Sequence, residues 1–246
     1  MNNAAAARAA THEEIRQLLR HRVTGAAMLK GHGLEIGALH YPLEVPRAHA
    51  IDLLDVDDAA MLRRLFPELA DEAIPEPRWT GDVVSASVPE ITGRRFDFIV
   101  MNHVLEHVAN PIQVIANTWA GLVEGGFLVL SVPDKRFTYD NLRPLTTFKH
   151  LLAEFHLQTK GVDASHYIDF LEGTSPEVFE DRSRLLAALE RATLRREHAH
   201  VWDCASFHDF LQRTVQLLGL RARTVYESTA ASNNFEYFAV VQRALG

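Results

Sequence analysis

Apolar and polar positions along this chain follow two rhythms. The runs "GLEIGA" (33–38), "AHAID" (48–52) and "RFDFIVMN" (95–102) are short and apolar, and they read as buried strands. Between them, Asp57 to Phe66 places Ala59, Leu62 and Phe66 on one side of a predicted helix. "RWTGD" (78–82) predicts a short third strand ending in an acid. Residues 110–123, "NPIQVIANTWAGLV", predict a helix capped by Asn110, with Pro111 in its first turn and Gly125–Gly126 to stop it. "FLVLSVP" (127–133) is a further buried strand. Strands separated by helices imply parallel βαβ units with right-handed crossovers.

The two ends of the chain follow other patterns. Thr11 and Glu14 form a capping-box pair opening a helix that runs to about Lys30, with Ile15, Leu18 and Leu19 as its apolar face. At the far end, a helix over Ser206 to Leu218 precedes "LRARTVYES" (220–228) and "FEYFAVVQR" (235–243), two strand-like runs joined by a polar turn. They predict an antiparallel hairpin. The expected fold class is α/β: a doubly wound, seven-stranded, mostly parallel sheet finished by that hairpin. One domain is expected over 1–246, with a helical N-terminal extension (1–30) and a helical insertion (134–204). Within the insertion, 144–155 and 175–193 look helical. A connection this long usually serves as a lid or a substrate wall; it is equally suited to packing against a second copy in a homodimer.

Composition narrows the classes of partner. A net charge of −7 argues against a broad nucleic-acid footprint. No apolar run approaches the roughly 18 residues a membrane span needs, and the N-terminus lacks the pattern of a secretory signal. A lone cysteine, Cys204, rules out an internal disulfide and fits the reducing cytoplasm.

In open α/β sheets, ligands sit beyond the carboxyl ends of the strands. The predicted strands end in Glu35 and Gly37, in Asp52, in Asp82, and in Asn102 followed by His103. A carboxylate at the second strand end can accept from both ribose hydroxyls, and one at the third from an adenine amine. After Gly37, however, the chain offers Ala38, Leu39 and His40 where a dinucleotide fingerprint would add glycines, and Pro42 and Pro46 oppose a helix there. The order Glu-x-Gly, strand-end Asp, Gly-Asp, "FDFIVMNHVLEH", "GGFLVLSVP" and terminal hairpin resembles class I S-adenosylmethionine-dependent methyltransferases. "LEIGALHYP" with "VPDKRFTYDNLRPLTTFKHLL" resembles a bacterial branch associated with sugar and polysaccharide modification.

The resemblance implies S-adenosylmethionine as cofactor, held by Glu35, Gly37, Ala38, Asp52, Asp82, Asn102 and His103. It implies methyl transfer, most simply to oxygen on a sugar-bearing or other small polar acceptor. The sparse glycines then make sense, because this ligand has no phosphate to cradle. The alternatives are a nicotinamide-dependent oxidoreductase and a non-catalytic S-adenosylmethionine-binding module.

"HVLEH" (103–107) matches an inverted zinc-peptidase pattern if it is helical, but it follows a buried strand directly, and no metal is assigned to it. An alcohol is a poor nucleophile until its proton leaves, so a base is needed. His166 and His200 are the expected bases, with Asp134 holding substrate hydroxyls. Lys135, Arg136, Tyr139, Asp140, Arg143, His198 and Asp203 are further polar groups of the insertion.

Overall fold

The computed structural model describes residues 17–245. The proposed Thr11–Glu14 cap lies outside them. A short helix, α1 (Arg20–Ala26), leads into β1 (Gly31–Ile36) and β2 (Ala48–Asp55). Then follow α2 (Ala59–Leu65), β3 (Trp79–Thr80), α3 (Val88–Thr92), β4 (Phe96–Asn102), α4 (Pro111–Trp119) and β5 (Leu122–Pro133). The insertion carries α5 (Phe148–His156), α6 (Ala164–Thr174) and α7 (Arg182–Arg195). The chain closes with α8 (Cys204–Leu217), β6 (Ala222–Ser228), α9 (Ala230–Asn233) and β7 (Glu236–Arg243).

All seven strands form one sheet in the order β3-β2-β1-β4-β5-β7-β6. β7 runs antiparallel to both β5 and β6, and the other pairings are parallel. The order reverses between β1 and β4, which puts the crevice of an open sheet beside Ile36 and Asn102. The expected fold class is the observed one.

The central strands are largely apolar because helices and the β1–β2 connection cover both faces. On one face, Ile112 and Ile115 of α4 and Phe207, Phe210 and Leu211 of α8 pack on Ile99, Met101, Leu128 and Leu130. On the other, α1 and its following turn contribute Ala26 and Leu29 against Phe98, Val100, Val129 and Phe238. Leu43 and Val45 join that second cluster from the β1–β2 connection. Pro42 and Pro46 keep this connection non-helical, as expected, so a loop does the covering that a crossover helix would do. Gly33 has no room for a side chain, since a Cβ would stand 2.1 Å from the Phe98 ring.

Several boundaries differ from expectation. β2 continues three residues past Asp52 to Asp55. β3 has only two residues, so Asp82 lies beyond its end. The helix at Pro111 stops at Trp119, and Gly125–Gly126 fall inside β5, where Gly125 takes φ +75° at a register irregularity opposite Phe96–Phe98. The irregularity absorbs the extra residues, and pairing with β4 overrides the helix-stop reading. The helix α6, which carries His166, was not anticipated. Its apolar residues Tyr167 and Leu171 are the only ones it buries, too few for a clear period.

Candidate active site

A cavity of about 440 Å³ opens at the carboxyl rim of β1, β2 and β4, within the range of small-molecule sites. Ile36, Leu39, Leu62, Leu65, Phe66 and Val104 make its apolar walls. The carboxylates of Asp55, Asp57 and Asp82 give it an acidic side, and the rings of His103 and His107 line it as well. The insertion closes it with Lys160–Val162, Tyr167 and Thr193–Arg196.

Gly37 is the turn that lets the backbone leave β1 at this rim. Its φ is +69°, and a Cβ there would lie 3.0 Å from Val104 Cγ2. Its amide donates to the Leu54 carbonyl at 3.0 Å. Ala38 follows but lines a small recess behind Leu39, not the main cavity. Glu35 is 1% exposed and does not reach the cavity lining. It accepts the Leu43 amide at 2.8 Å and so anchors the β1–β2 loop. Burial pushes its carboxyl up to about 7 against that hydrogen bond and the nearby Arg22 charge.

The two acids of β2 meet opposite fates. Asp52 pairs with Leu34 in mid-strand and bonds His32 Nε2 at 2.7 Å and Arg78 Nη1 at 3.0 Å, with Arg94 3.9 Å away. Burial pushes its carboxyl up, but Arg78 and His32 outweigh it and hold the group below its usual range. The expectation that Asp52 ends its strand is therefore corrected: Asp55 ends β2 and lines the cavity, and Asp52 does neither. Asp55 Oδ1 accepts the Val56 amide at 2.7 Å, and burial raises its pKa. The signal for this was present in "IDLLD", whose Leu53 and Leu54 extend the apolar run past Asp52.

Asp82 lines the cavity from beyond the end of β3; its Oδ1 takes the Val84 amide at 2.8 Å. Asn102 ends β4 but stands behind the lining, where Oδ1 accepts from Ser131 Oγ at 3.0 Å. His103 does line the cavity, at φ +55°. "HVLEH" is thus not an α-helix: His103 sits in the left-handed region, and only Leu105–His107 form a 3-10 turn. His103 Nε2 bonds Glu236 at 2.7 Å. Glu236 is fully buried and also bonds His21 at 2.6 Å and Arg22 Nε at 2.7 Å. Burial opposes its charge, but Arg22, His103 and His21 together hold its pKa well below the ordinary value. Through it, α1 is tied to the histidine at the cavity wall.

The expected catalytic set lies elsewhere. Asp134 caps the turn after β5: it accepts from Arg136 at 2.7 Å and from the Cys204 amide at 2.9 Å. Burial works against ionisation there, but these donors hold its pKa at about 2. It is 1% exposed and cannot hold substrate hydroxyls while so engaged. His166 and His200 turn toward Glu154, at 3.3 and 3.5 Å, and do not line the cavity. Burial and the neighbouring His166 and His150 hold the His200 pKa far below normal.

A different histidine, His198, sits in a hydrogen-bonded chain. His198 Nδ1 donates to Asp140 Oδ2 at 2.6 Å, and its Nε2 faces Tyr139 Oη at 2.9 Å. Asp140 is oriented by Arg143 Nη1 at 2.7 Å, and Arg143 also bonds Asp169. The carboxylate can only accept, so Nδ1 carries a proton; in the neutral ring Nε2 is then an acceptor. The His198 ring packs edge-on to His107 with centroids 4.7 Å apart, which puts it one ring behind the cavity wall. Glu106, 1% exposed, has both carboxylate oxygens without a hydrogen bond, 4.0 Å from His103 and from His107.

A methyltransferase domain family matches residues 40–214 of the chain, well over half of it. The chain belongs to this methyltransferase family. A search of the curated proteins finds no sequence match. Among solved structures, a Rhodobacter sphaeroides protein described as a Zn-dependent alcohol dehydrogenase aligns at TM-score 0.50 and 17% identity, over 95% of this chain and 89% of its own. The N-methyltransferase NodS from Bradyrhizobium japonicum WM9, in complex with S-adenosyl-L-homocysteine, aligns at TM-score 0.44 and 17% identity, over 94% and 86%. CurJ carbon methyltransferase aligns at TM-score 0.45 and 17% identity over 93% of this chain, which spans only 54% of CurJ. At these identities the likeness speaks to fold alone. The cavity would suit S-adenosylmethionine, the cofactor that the sequence resemblance implies. The apolar walls match an adenine, Gly37 leaves space for close backbone approach, and Asp55 and Asp82 supply acceptors where hydroxyls and an amine would come. No described helix is long and apolar enough to cross a membrane.

Proposed function

We propose that this methyltransferase acts on a hydroxyl of a small, polar, sugar-bearing acceptor in the cytoplasm. The observation carrying this reading is the Asp140–His198–Tyr139 chain, which packs one ring behind His107 of the cavity wall. Bound S-adenosylmethionine supplies a sulfonium methyl group for in-line displacement. Asp55 would accept from the ribose hydroxyls, Asp82 from the adenine amine, and Gly37 and His103 would flank the methionine portion.

The acceptor hydroxyl loses its proton as the carbon–oxygen bond forms. That proton passes to the Tyr139 oxygen while the Tyr139 proton passes to His198 Nε2. Asp140 stabilises the imidazolium that results. Burial and the Asp140 charge raise the Tyr139 pKa, so the residue relays as a phenol and does not act as a phenolate base. Such proton transfer contributes about 10²–10⁴-fold in rate. Phe137, Tyr139 and Leu142 are exposed on the same segment, with the Arg136 guanidinium beside them. An aromatic face and a cation suit a sugar ring carrying an anionic group.

The test is incubation with S-adenosylmethionine and a panel of hydroxylated glycosides, read by mass spectrometry. The expected result is a gain of one methyl group on oxygen, lost in His198→Ala while S-adenosylhomocysteine still binds. Methylation that survives His198→Ala at full rate refutes the relay, and cofactor binding without transfer to any acceptor favours a non-catalytic module.

A further inference from the structure

Away from the cavity lining, four side chains of the insertion converge on one point. His150 and Glu154 stand one turn apart on α5, His166 lies in the first turn of α6, and His200 is on the segment leading to α8. His150 Nε2 and His166 Nε2 are 2.9 Å apart. Glu154 Oε1 is 3.1 Å from the first and 3.3 Å from the second, and its Oε2 is 3.5 Å from His200 Nε2. One ligand atom from each residue can be chosen so that all lie within 4.8 Å of one another.

Hydrogen bonding does not satisfy this group. Two imidazole nitrogens facing each other can share only one proton. Neither ring nitrogen of His200 makes a well-formed hydrogen bond, although the Val108 backbone lies near the ring, and the residue is 1% exposed. Glu154 Oε2 is unpartnered as well, in a residue 7% exposed. Buried polar atoms are otherwise paired in more than about nine cases in ten. The chain holds the unpartnered groups in place: the amides of Ala199 and His200 both donate to the Glu106 carbonyl, at 2.7 and 3.0 Å, and Trp202 packs on the His200 ring at 5.6 Å.

The four close spacings, 2.9–3.5 Å, bracket that of ligands around one cation, and the full set needs only a small contraction from its 4.8 Å bound. In a tetrahedron with metal–ligand bonds near 2.0–2.1 Å, ligand atoms stand about 3.3–3.4 Å apart. Imidazoles with a carboxylate suit a borderline divalent ion of the zinc class. We propose that His150, Glu154, His166 and His200 bind one divalent transition-metal ion, with zinc as the fitting probe. Four protein ligands complete the coordination sphere, so the ion is structural, with no position left for a reacting water. The His150 side chain is 45% exposed and gives the ion its way in.

The ion clamps three separate segments: α5, α6 and the stretch before α8. This bears on the cavity, because Lys160–Val162 join the two liganding helices and Tyr167 adjoins His166, and all of them line it. The nearby trio Glu106, His107 and His198 is a weaker candidate, since both nitrogens of His198 are already engaged by Asp140 and Tyr139.

The test uses the untagged full chain and needs no turnover, so it stands apart from the acceptor question. Elemental analysis after dialysis is expected to find about one equivalent of a transition metal. Protein stripped by a chelator is expected to take up one equivalent of Zn²⁺ and to gain several degrees in thermal midpoint. His150→Gln, at an exposed position the fold tolerates, and Glu154→Gln are each expected to weaken Zn²⁺ binding at least about tenfold. His107→Gln should leave it unchanged. The proposal is overturned if stripped wild-type protein neither takes up Zn²⁺ nor gains stability from it, or if His150→Gln and Glu154→Gln bind Zn²⁺ like the wild type.

Discussion

At the rim of the sheet, side chains owe their positions to strand pairing; in the insertion they owe them to one another. Gly37 and Asp55 sit where β1 and β2 end, and the ladder fixes which way each points. Tyr139, Asp140 and His198 come from two stretches about 58 residues apart and are held by a chain of hydrogen bonds. A rim residue is displaced only by a change of register. An insertion residue loses its role when any one partner goes. The rim should therefore govern cofactor binding, and the insertion turnover.

The sharpest way to break this division is His198→Ala. Turnover should fall about 10²–10⁴-fold, while S-adenosylhomocysteine affinity stays within about twofold; initial rates and calorimetry check the two halves. A loss of affinity equal to the loss of rate would erase the distinction between the regions.

Glu35 sharpens the comparison from the rim side, where burial acts without a compensating cation in hydrogen-bond contact. Its pKa is raised from 4.5 to about 7, so the folded state holds the proton more tightly than the unfolded chain. Its stabilising effect is therefore full below pH 4.5 and is lost as pH rises to about 7. The loss is on the order of 3 kcal/mol. Urea unfolding of the wild type and Glu35→Gln across this window should show the variant missing that downward component. Parallel pH profiles for the two proteins would show that Glu35 carries no raised pKa.

The neighbouring acids of β2 provide the next contrast. Asp55→Ala should weaken S-adenosylhomocysteine binding about 10- to 100-fold, the worth of hydrogen bonds to a charged group. Asp52→Ala should change it less than about threefold, since Asp52 serves His32 and Arg78. Titration calorimetry on both variants would reverse the assignment if Asp52→Ala proved the weaker binder.

The smallest expected effect is at Gly37. Gly37→Ala places a Cβ at φ +69° against Val104, at a cost of about 1–2 kcal/mol in chemical denaturation. A stability equal to the wild type would mean that the turn relaxes without strain.

How much of this was legible varies with the range over which each feature is set. The central strands, the non-helical β1–β2 connection and the C-terminal hairpin follow from local patterns, and the structure shows them close to where the pattern put them. Asp82, Gly37 and His103 reach the cavity for the same reason: each adjoins a strand end. Asp52 was misplaced because a strand's last residue depends on how far its neighbour continues to pair, and β1 pairs with β2 through Leu54. That His166 and His200 face Glu154 and not the cavity is not legible in the sequence, because a histidine's neighbours across the fold cannot be read from its neighbours along the chain.

The sequence by itself determined the α/β architecture, the seven strands and the acid-lined rim, since hydrophobic period and turn residues act over a few positions. Only the tertiary structure decided which acid of β2 lines the cavity, which histidine bonds Asp140 and Tyr139, and that His150, Glu154, His166 and His200 meet. Those outcomes depend on contacts between segments tens of residues apart, where packing and burial set each side chain's partner.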